Sequence, residues 1–268
     1  MNRLSSSVMP ENLTSTISDA NVADDFLHDN LGQHNTSESR SSATEPADIC
    51  SVFTPLHYEP NYAYPLVVWL HAEGENETQL RQVMPKISMR NYAAVAPRGT
   101  VSLGMPRLDQ WGATYSWPLS NGDLSEASEH ICMAMEHAEQ RFRIDSNRIF
   151  LAGSGAGGTM ALQIGMTLPE RFAGIVSVGG PLPREDALMA HLNEIRQMPI
   201  LLMVERDNEH YPNTMVCEDL RLLHIAGMTV TLRQYPAGGT LRDSMLSDID
   251  PWIMDVLASG QKTPIVTA

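Results

Sequence analysis

The chain has 268 residues and a formal net charge of −14, from 18 Lys plus Arg against 32 Asp plus Glu. Nucleic acid and anionic membrane surfaces both call for clustered cations, so neither is an expected partner. Three scattered cysteines, Cys50, Cys132 and Cys217, offer neither a disulfide framework nor a metal-binding spacing, so no metal is expected and a reducing compartment, the cytoplasm, is.

Residues 1–50 are rich in Ser, Thr, Asn and Asp, and acids such as Asp24, Asp25 and Asp29 outnumber Arg3 and Arg40. Apolar residues there are sparse and lack a sustained period. Such a segment cannot offset the entropy of ordering, so it is expected to be a disordered acidic tail. A transient helix over 22–31 would let it engage a protein partner. The first ten residues lack an apolar core, so no secretory signal is expected. No run approaches the ~18 apolar residues of a membrane span.

The folded domain is expected over 51–260, leaving 261–268 as a short tail. Residues 52–58 read as an edge strand. The apolar run 66–70 suits a strand covered on both faces. Leu80, Val83, Met84 and Ile87 recur at helical spacing over 76–87, with Asn76 as the cap. Residues 93–96 form the next strand, ended by Pro97-Arg98-Gly99. The stretch 100–123 is a long loop holding Trp111, Tyr115 and Trp117, either a wall over a ligand pocket or a packed surface loop. An amphipathic helix follows over 125–142, with His130 and His137 as surface residues, and 145–148 turns into a strand at 149–152. That strand breaks into Gly153-Ser154-Gly155-Ala156-Gly157-Gly158 before a helical run from Thr159. A strand, tight turn and helix packed this closely need glycines. The turn's amide groups point at whatever sits on the helix N-terminus.

Beyond it, 173–178 is a buried strand, 184–197 a helix and 200–204 a strand leading into Glu205-Arg206-Asp207-Asn208-Glu209-His210. A helix over 211–226, with His224 structural, is capped by Gly227. Residues 229–234 form the last strand, and 243–257 a final helix kinked at Pro251. Sixteen methionines read as flexible core filler. Strands and helices alternate throughout, so a mostly parallel twisted sheet with helices on both faces is expected.

Several segments carry a resemblance: Tyr-Pro-Leu-Val-Val-Trp-Leu-His (64–71), Ala-Val-Ala-Pro-Arg-Gly (94–99), Ile-Asp-Ser-Asn-Arg-Ile-Phe-Leu-Ala-Gly (144–153), Gly-Gly-Thr-Met-Ala-Leu (157–162) and Arg-Phe-Ala-Gly-Ile-Val-Ser (171–177). Together they are similar to the phospholipase/carboxylesterase group of α/β-hydrolases. The resemblance implies the α/β-hydrolase fold, serine ester hydrolysis, a small-molecule ester or acyl ligand, no cofactor, and a crevice at the strands' carboxyl ends. It also implies a triad acid at Asp207, which would hold the catalytic imidazole in one tautomer. The oxyanion hole would be made by the backbone N–H groups of Glu73 and Ala156. Ala72 stands where the family has a glycine, and the Glu73 side chain brings an anion to a place that would favour none.

The chain departs from the family at two positions. The elbow reads Gly-x-Ser-x-Gly-Gly in the family, but Gly155 occupies the nucleophile position here and Ser154 lies one place early. A Gly-His pair supplies the family's base, but this chain has Gly239-Thr240, and an alcohol cannot accept a proton near neutral pH. Nucleophile and base act as one unit, so losing both costs little more than losing either. Three readings follow. In the first, the chain is a catalytically impaired pseudo-hydrolase that binds a ligand or partner. In the second, it is an active carboxylesterase using Ser154 in a shifted elbow register, with a histidine such as His210 as base. In the third, Gly153, Gly155 and Gly158 form a dinucleotide loop, although no acid precedes Glu185 to end the next strand. His71-x-Glu73 also echoes zinc deaminases, but no Pro-Cys-x-x-Cys follows. Oligomeric state is left open.

Overall fold

The computed structural model describes residues 49–104, 112–118, 124–184, 195–239 and 241–260. The chain divides into two units, Met1–Ser42 and Ala43–Ala268, and every described residue lies in the second. The readings of 22–31, of 261–268 and of nearly all of 1–50 therefore fall outside the described residues, as does most of the helix expected over 184–197.

Nine strands are described: β1 (Cys50–Phe53), β2 (Tyr64–Leu70), β3 (Ala93–Pro97), β4 (Val101–Gly104), β5 (Thr114–Ser116), β6 (Ile144–Ser154), β7 (Gly174–Val178), β8 (Ile200–Glu205) and β9 (Val230–Tyr235). The helices are α1 (Leu80–Ile87), α2 (Leu124–Arg141), α3 (Ala156–Thr167), α4 (Asn213–Ile225), α5 (Asp243–Ser247) and α6 (Ile249–Ser259). Seven strands make one sheet in the order β1-β3-β2-β6-β7-β8-β9. All neighbours are parallel except the edge strand β1, which is antiparallel to β3. This is the expected α/β-hydrolase architecture.

The two-residue period of a strand explains why β2 is apolar throughout. Leu66, Val68 and Leu70 enter one core with α2 and α3, through Ile131, Met135, Met160 and Leu162. Val67 and Trp69 enter the opposite core with Leu80, Val83 and Met84 of α1 and with Leu246 and Trp252. Every residue of β2, β3, β7 and β8 is buried. A sheet sandwiched on both faces requires such runs.

Four local readings change. The expected 76–87 helix opens as a 3-10 turn, Glu77–Gln79, before α1; Asn76 Oδ1 caps it by accepting the Thr78 N–H at 2.9 Å. The 100–123 loop contains a hairpin, β4 against β5 with Val101 opposite Ser116, because Val101, Thr114 and Tyr115 favour extended backbone. Trp111 lies outside the described residues. The turn at 145–148 is absorbed into β6, where the pairing with β2 shifts between Tyr64 and Leu66 and Asp145 Oδ1 accepts the Asn147 N–H. The single helix at 243–257 is two helices that meet at Asp248. Pro251 has no N–H to offer the Ser247 carbonyl, so the break falls there. The Asp248 carboxylate is held by the Tyr235 hydroxyl at 2.7 Å and by Arg233 at 3.2 Å.

Candidate functional site

The elbow is the junction of β6 and α3. Its middle residue, Gly155, has φ 53° and ψ −121°, a conformation that L side chains rarely adopt. The glycines around it are needed for space. A Cβ on Gly157 would lie 2.2 Å from the Leu70 carbonyl oxygen and 2.4 Å from that of His71. One on Gly158 would lie 2.7 Å from Ser177 Oγ. Gly155 differs: among the described residues, nothing beyond its chain neighbours lies within 4 Å of the place its Cβ would take. The turn therefore projects into open space at the family's nucleophile position and carries no side chain there.

The close approach of Gly157 to Leu70 and His71 sets the start of α3 against the loop after β2. That loop is tied down bond by bond. Gln79 Oε1 accepts Trp69 Nε1–H at 2.9 Å and the Ala72 N–H at 3.3 Å. The Gly74 N–H donates to Tyr115 O at 3.0 Å, and the Glu75 N–H to Ala72 O at 3.2 Å. The Glu73 N–H alone in this turn has no acceptor among the described residues. The Ala156 N–H begins a helix and so has no intrahelical acceptor. Both backbone groups named from the resemblance are thus free to donate. Ala72 does not stand in the left-handed region, so its Cβ brings no strain there. The Glu73 side chain is exposed to solvent.

His71 is fully buried and braces the loop. Its Nε2 accepts the Gly99 N–H at 2.9 Å, which leaves the proton on Nδ1, donated to Ala72 O at 2.8 Å. Trp117 Nε1–H donates to His71 O at 2.9 Å, and the two rings lie 5.2 Å apart. Burial is the main influence on the ring and lowers its pKa below the ordinary histidine value, against the opposing pull of the Ala72 carbonyl and Glu77. Both ring nitrogens are engaged, so His71 serves as a strut and not as a base. Trp117, left between pocket wall and packed loop by the sequence, is buried as part of this brace.

Ser154 is 1% exposed, and its Oγ has no hydrogen-bond partner among the described residues. The pairing with an imidazole that a shifted register requires is therefore not formed there. His210 is exposed, and its own N–H donates to Asn208 Oδ1 at 2.9 Å. Ser154 instead lines a cavity of about 340 Å3 with Glu73, Glu75 and Lys86. A second cavity, about 300 Å3, lies beside Ala156, Met160 and Leu182 of the opposite core.

Asp207 sits just past the end of β8 in the left-handed region, φ 61°, and its exposed carboxylate makes no hydrogen bond or ion pair among the described residues. The carboxylate buried at this strand end is that of Glu205, 5% exposed, with Arg242 Nε at 3.6 Å. The Arg242 guanidinium also donates to Ala237 O at 2.5 Å. Sequence reasoning missed this pair. Its one signal was an arginine just after the glycine pair at 238–239. Thr240 lies outside the described residues.

β7 ends at Val178 and is followed by Gly179, so no acid stands at its end to receive a ribose. Among the described residues no group of His, Cys, Asp and Glu is arranged to hold a metal, and no helix is long and apolar enough to cross a membrane.

A profile of the phospholipase/carboxylesterase family matches residues 59–255. The poly(3-hydroxybutyrate) depolymerase of Ralstonia pickettii is 27% identical over 99 residues, 35% of this chain and 20% of that protein. Acyl-protein thioesterase 1 of Schizosaccharomyces pombe is 30% identical over 122 residues, 43% of this chain and 53% of that one. The chain thus spans about half the length of these curated relatives, or less. Two solved structures share the fold at low identity. Arabidopsis thaliana SOBER1 has a TM-score of 0.61 and 18% identity, covering 73% of this chain and 100% of its own. The Bacillus cereus carboxylesterase has a TM-score of 0.60 and 17% identity, covering 80% and 100%. With more than half of its length inside the family profile, the chain belongs to the phospholipase/carboxylesterase family of α/β-hydrolases.

Proposed function

We propose that this chain is a pseudo-hydrolase, a member of its family that binds a ligand or partner without transferring an acyl group. The observation that carries this reading is the bare elbow: Gly155 holds the strained turn and presents no nucleophile. Three features support it. The Ser154 hydroxyl is buried away from any described imidazole. The Asp207 carboxylate is exposed and has no partner among the described residues. The buried acid at the end of β8, Glu205, faces a guanidinium, which cannot serve as a base.

The ligand we propose is a small ester or acyl compound lying in the cavity beside Ala156, with the Ala156 N–H group toward its carbonyl oxygen. The acyl chemistry in the name of the thioesterase relative favours that class. A protein partner engaged through the acidic residues 1–50, and residence in the cytoplasm, remain part of the proposal. Subcellular fractionation tests the latter.

Fluorophosphonate labelling of the pure protein, alongside assays with short acyl esters, tests the central reading. Neither labelling nor turnover is expected. Labelling that disappears on Ser154→Ala would establish the shifted-register esterase and overturn the pseudo-hydrolase.

A further inference from the structure

The seven-stranded sheet has two edges, β1 and β9, and they differ in what they expose. No residue of β1 is exposed, whereas Thr231, Leu232 and Gln234 of β9 all are, Leu232 at 41%. An open strand edge is a template for another strand, and proteins blunt it with lysine, proline or a bulge. β9 has neither lysine nor proline, and it pairs with β8 from Val230 to Tyr235 without a shift of register. Its one charge, Arg233, is held by its own chain, through Asp248 O at 2.9 Å and Asp248 Oδ2 at 3.2 Å.

The inner neighbour fixes which backbone groups of β9 face outward. The Ile200 N–H donates to Thr229 O at 3.0 Å and the Arg206 N–H to Tyr235 O at 2.8 Å. Backbone groups alternate along a strand, so residues 229, 231, 233 and 235 face β8. Val230, Leu232 and Gln234 therefore turn their N–H and C=O groups to the open edge, where no strand pairs with them among the described residues.

These three residues, centred on the leucine, complement themselves. Turned about a two-fold axis through Leu232, a second β9 runs antiparallel, sets Val230 against Gln234 and pairs Leu232 with Leu232. Every outward N–H of one strand then meets an outward C=O of the other. On the opposite face this register sets Arg233 against Thr231, so no like charges meet. Gln234 shares the Leu232 face, and its Nε2 donates to Asn213 Oδ1 of α4 at 3.3 Å. A second copy brings its own α4 to that face and extends the contact beyond the strands.

We infer that two copies of this chain associate through β9, antiparallel and about a two-fold axis at Leu232, joining two seven-stranded sheets into one. The pair covers the exposed Leu232 side chains and satisfies both edges at once. Each copy carries a formal charge of −14, so the pair forms best at physiological ionic strength or above, where a Debye length of about 8 Å screens the repulsion.

Sedimentation velocity of the full-length protein in physiological salt, over a rising concentration series, tests this. A reversible monomer–dimer equilibrium is expected. Leu232→Lys and Leu232→Glu should each weaken association about ten-fold or more, because like charges then face each other across the axis. Residue 232 meets itself only in this register, so an equimolar mixture of the two variants should restore the dimer. If the variants do not fold, hydrogen exchange on the unmodified protein decides: the Val230, Leu232 and Gln234 amides should exchange more slowly as concentration rises, and those of β1 should not change. A monomer at every concentration, a dimer unaffected by either charge, a mixture of folded variants that stays monomeric, or protection confined to β1 would overturn the inference. None of these results bears on fluorophosphonate labelling, so the two proposals fail separately.

Discussion

Replacing Gly155 by serine separates the two reasons a glycine is needed in a tight turn. The position has φ 53°, so any side chain is strained there, but no atom of the described residues beyond its chain neighbours lies within 4 Å of the new Cβ. The cost is then the backbone term alone, about 1–3 kcal/mol. For a domain of this size, that is a fall in Tm of roughly 2–4 °C per kcal/mol. Gly157→Ser is the contrasting variant. Its Cβ would sit 2.2 Å from Leu70 O and 2.4 Å from His71 O, both buried main-chain atoms that cannot rotate away. Strand β2 or helix α3 would have to move, which costs at least about 3 kcal/mol. Urea denaturation of both variants, with m-values compared, measures the difference. Equal losses of stability in the two would refute this account of the elbow, because the space around Gly155 would then not be open.

Restoring side chains tests how far the site has diverged. Gly155→Ser combined with Thr240→His should regain some hydrolysis of short acyl esters; silence in a folded double variant would mean that the pocket has changed as well. His71 has a folded pKa below the ordinary histidine value of about 6.5, so as pH falls through about 6.5 the unfolded chain binds a proton that the folded chain refuses, and stability declines. The decline levels off once the folded pKa is passed, and His71→Gln should flatten it in urea melts taken across that interval. Asp219 is fully buried, accepting the Leu182 N–H at 2.9 Å and the Tyr211 hydroxyl at 2.8 Å, with Arg184 at 2.7 Å. Asp219→Ala strands these donors and should cost about 2–4 kcal/mol by chemical denaturation. Arg242→Met leaves the Glu205 carboxylate buried alone, a loss of about 1–3 kcal/mol. Adding Glu205→Gln should recover most of it, and a double-mutant cycle reads the coupling.

The fold was legible because its signals are local. Burial on both faces makes β2, β3, β7 and β8 unbroken apolar runs, and burial on one face spaces Leu80, Val83, Met84 and Ile87 as a helix. Asn76 announces a cap whose bond to the helix is made with its near neighbour Thr78. Two of the four local readings that changed, the hairpin at β4 and β5 and the break at Asp248, depend on partners elsewhere. The hairpin needs two distant segments to pair, and Asp248 is held by Tyr235 and Arg233 of β9.

The bare nucleophile position belongs to the sequence alone, since glycine at 155 has no side chain in any fold. So does the alternation of strand and helix, because periodicity records which faces are buried before any partner is known. Only the tertiary structure decided what surrounds the elbow. Ser154 could have met an imidazole; instead its hydroxyl is buried with no partner among the described residues. His71 could have been a site residue; Gly99, 28 positions on, and Trp117, 46 positions on, turn it into a strut. The acid buried at the end of β8 is Glu205 with its arginine, and Asp207 stays in solvent. Each of these outcomes depends on which crossing segment supplies the neighbour. Periodicity selects a face of an element, but it carries no information about the chain that packs against that face.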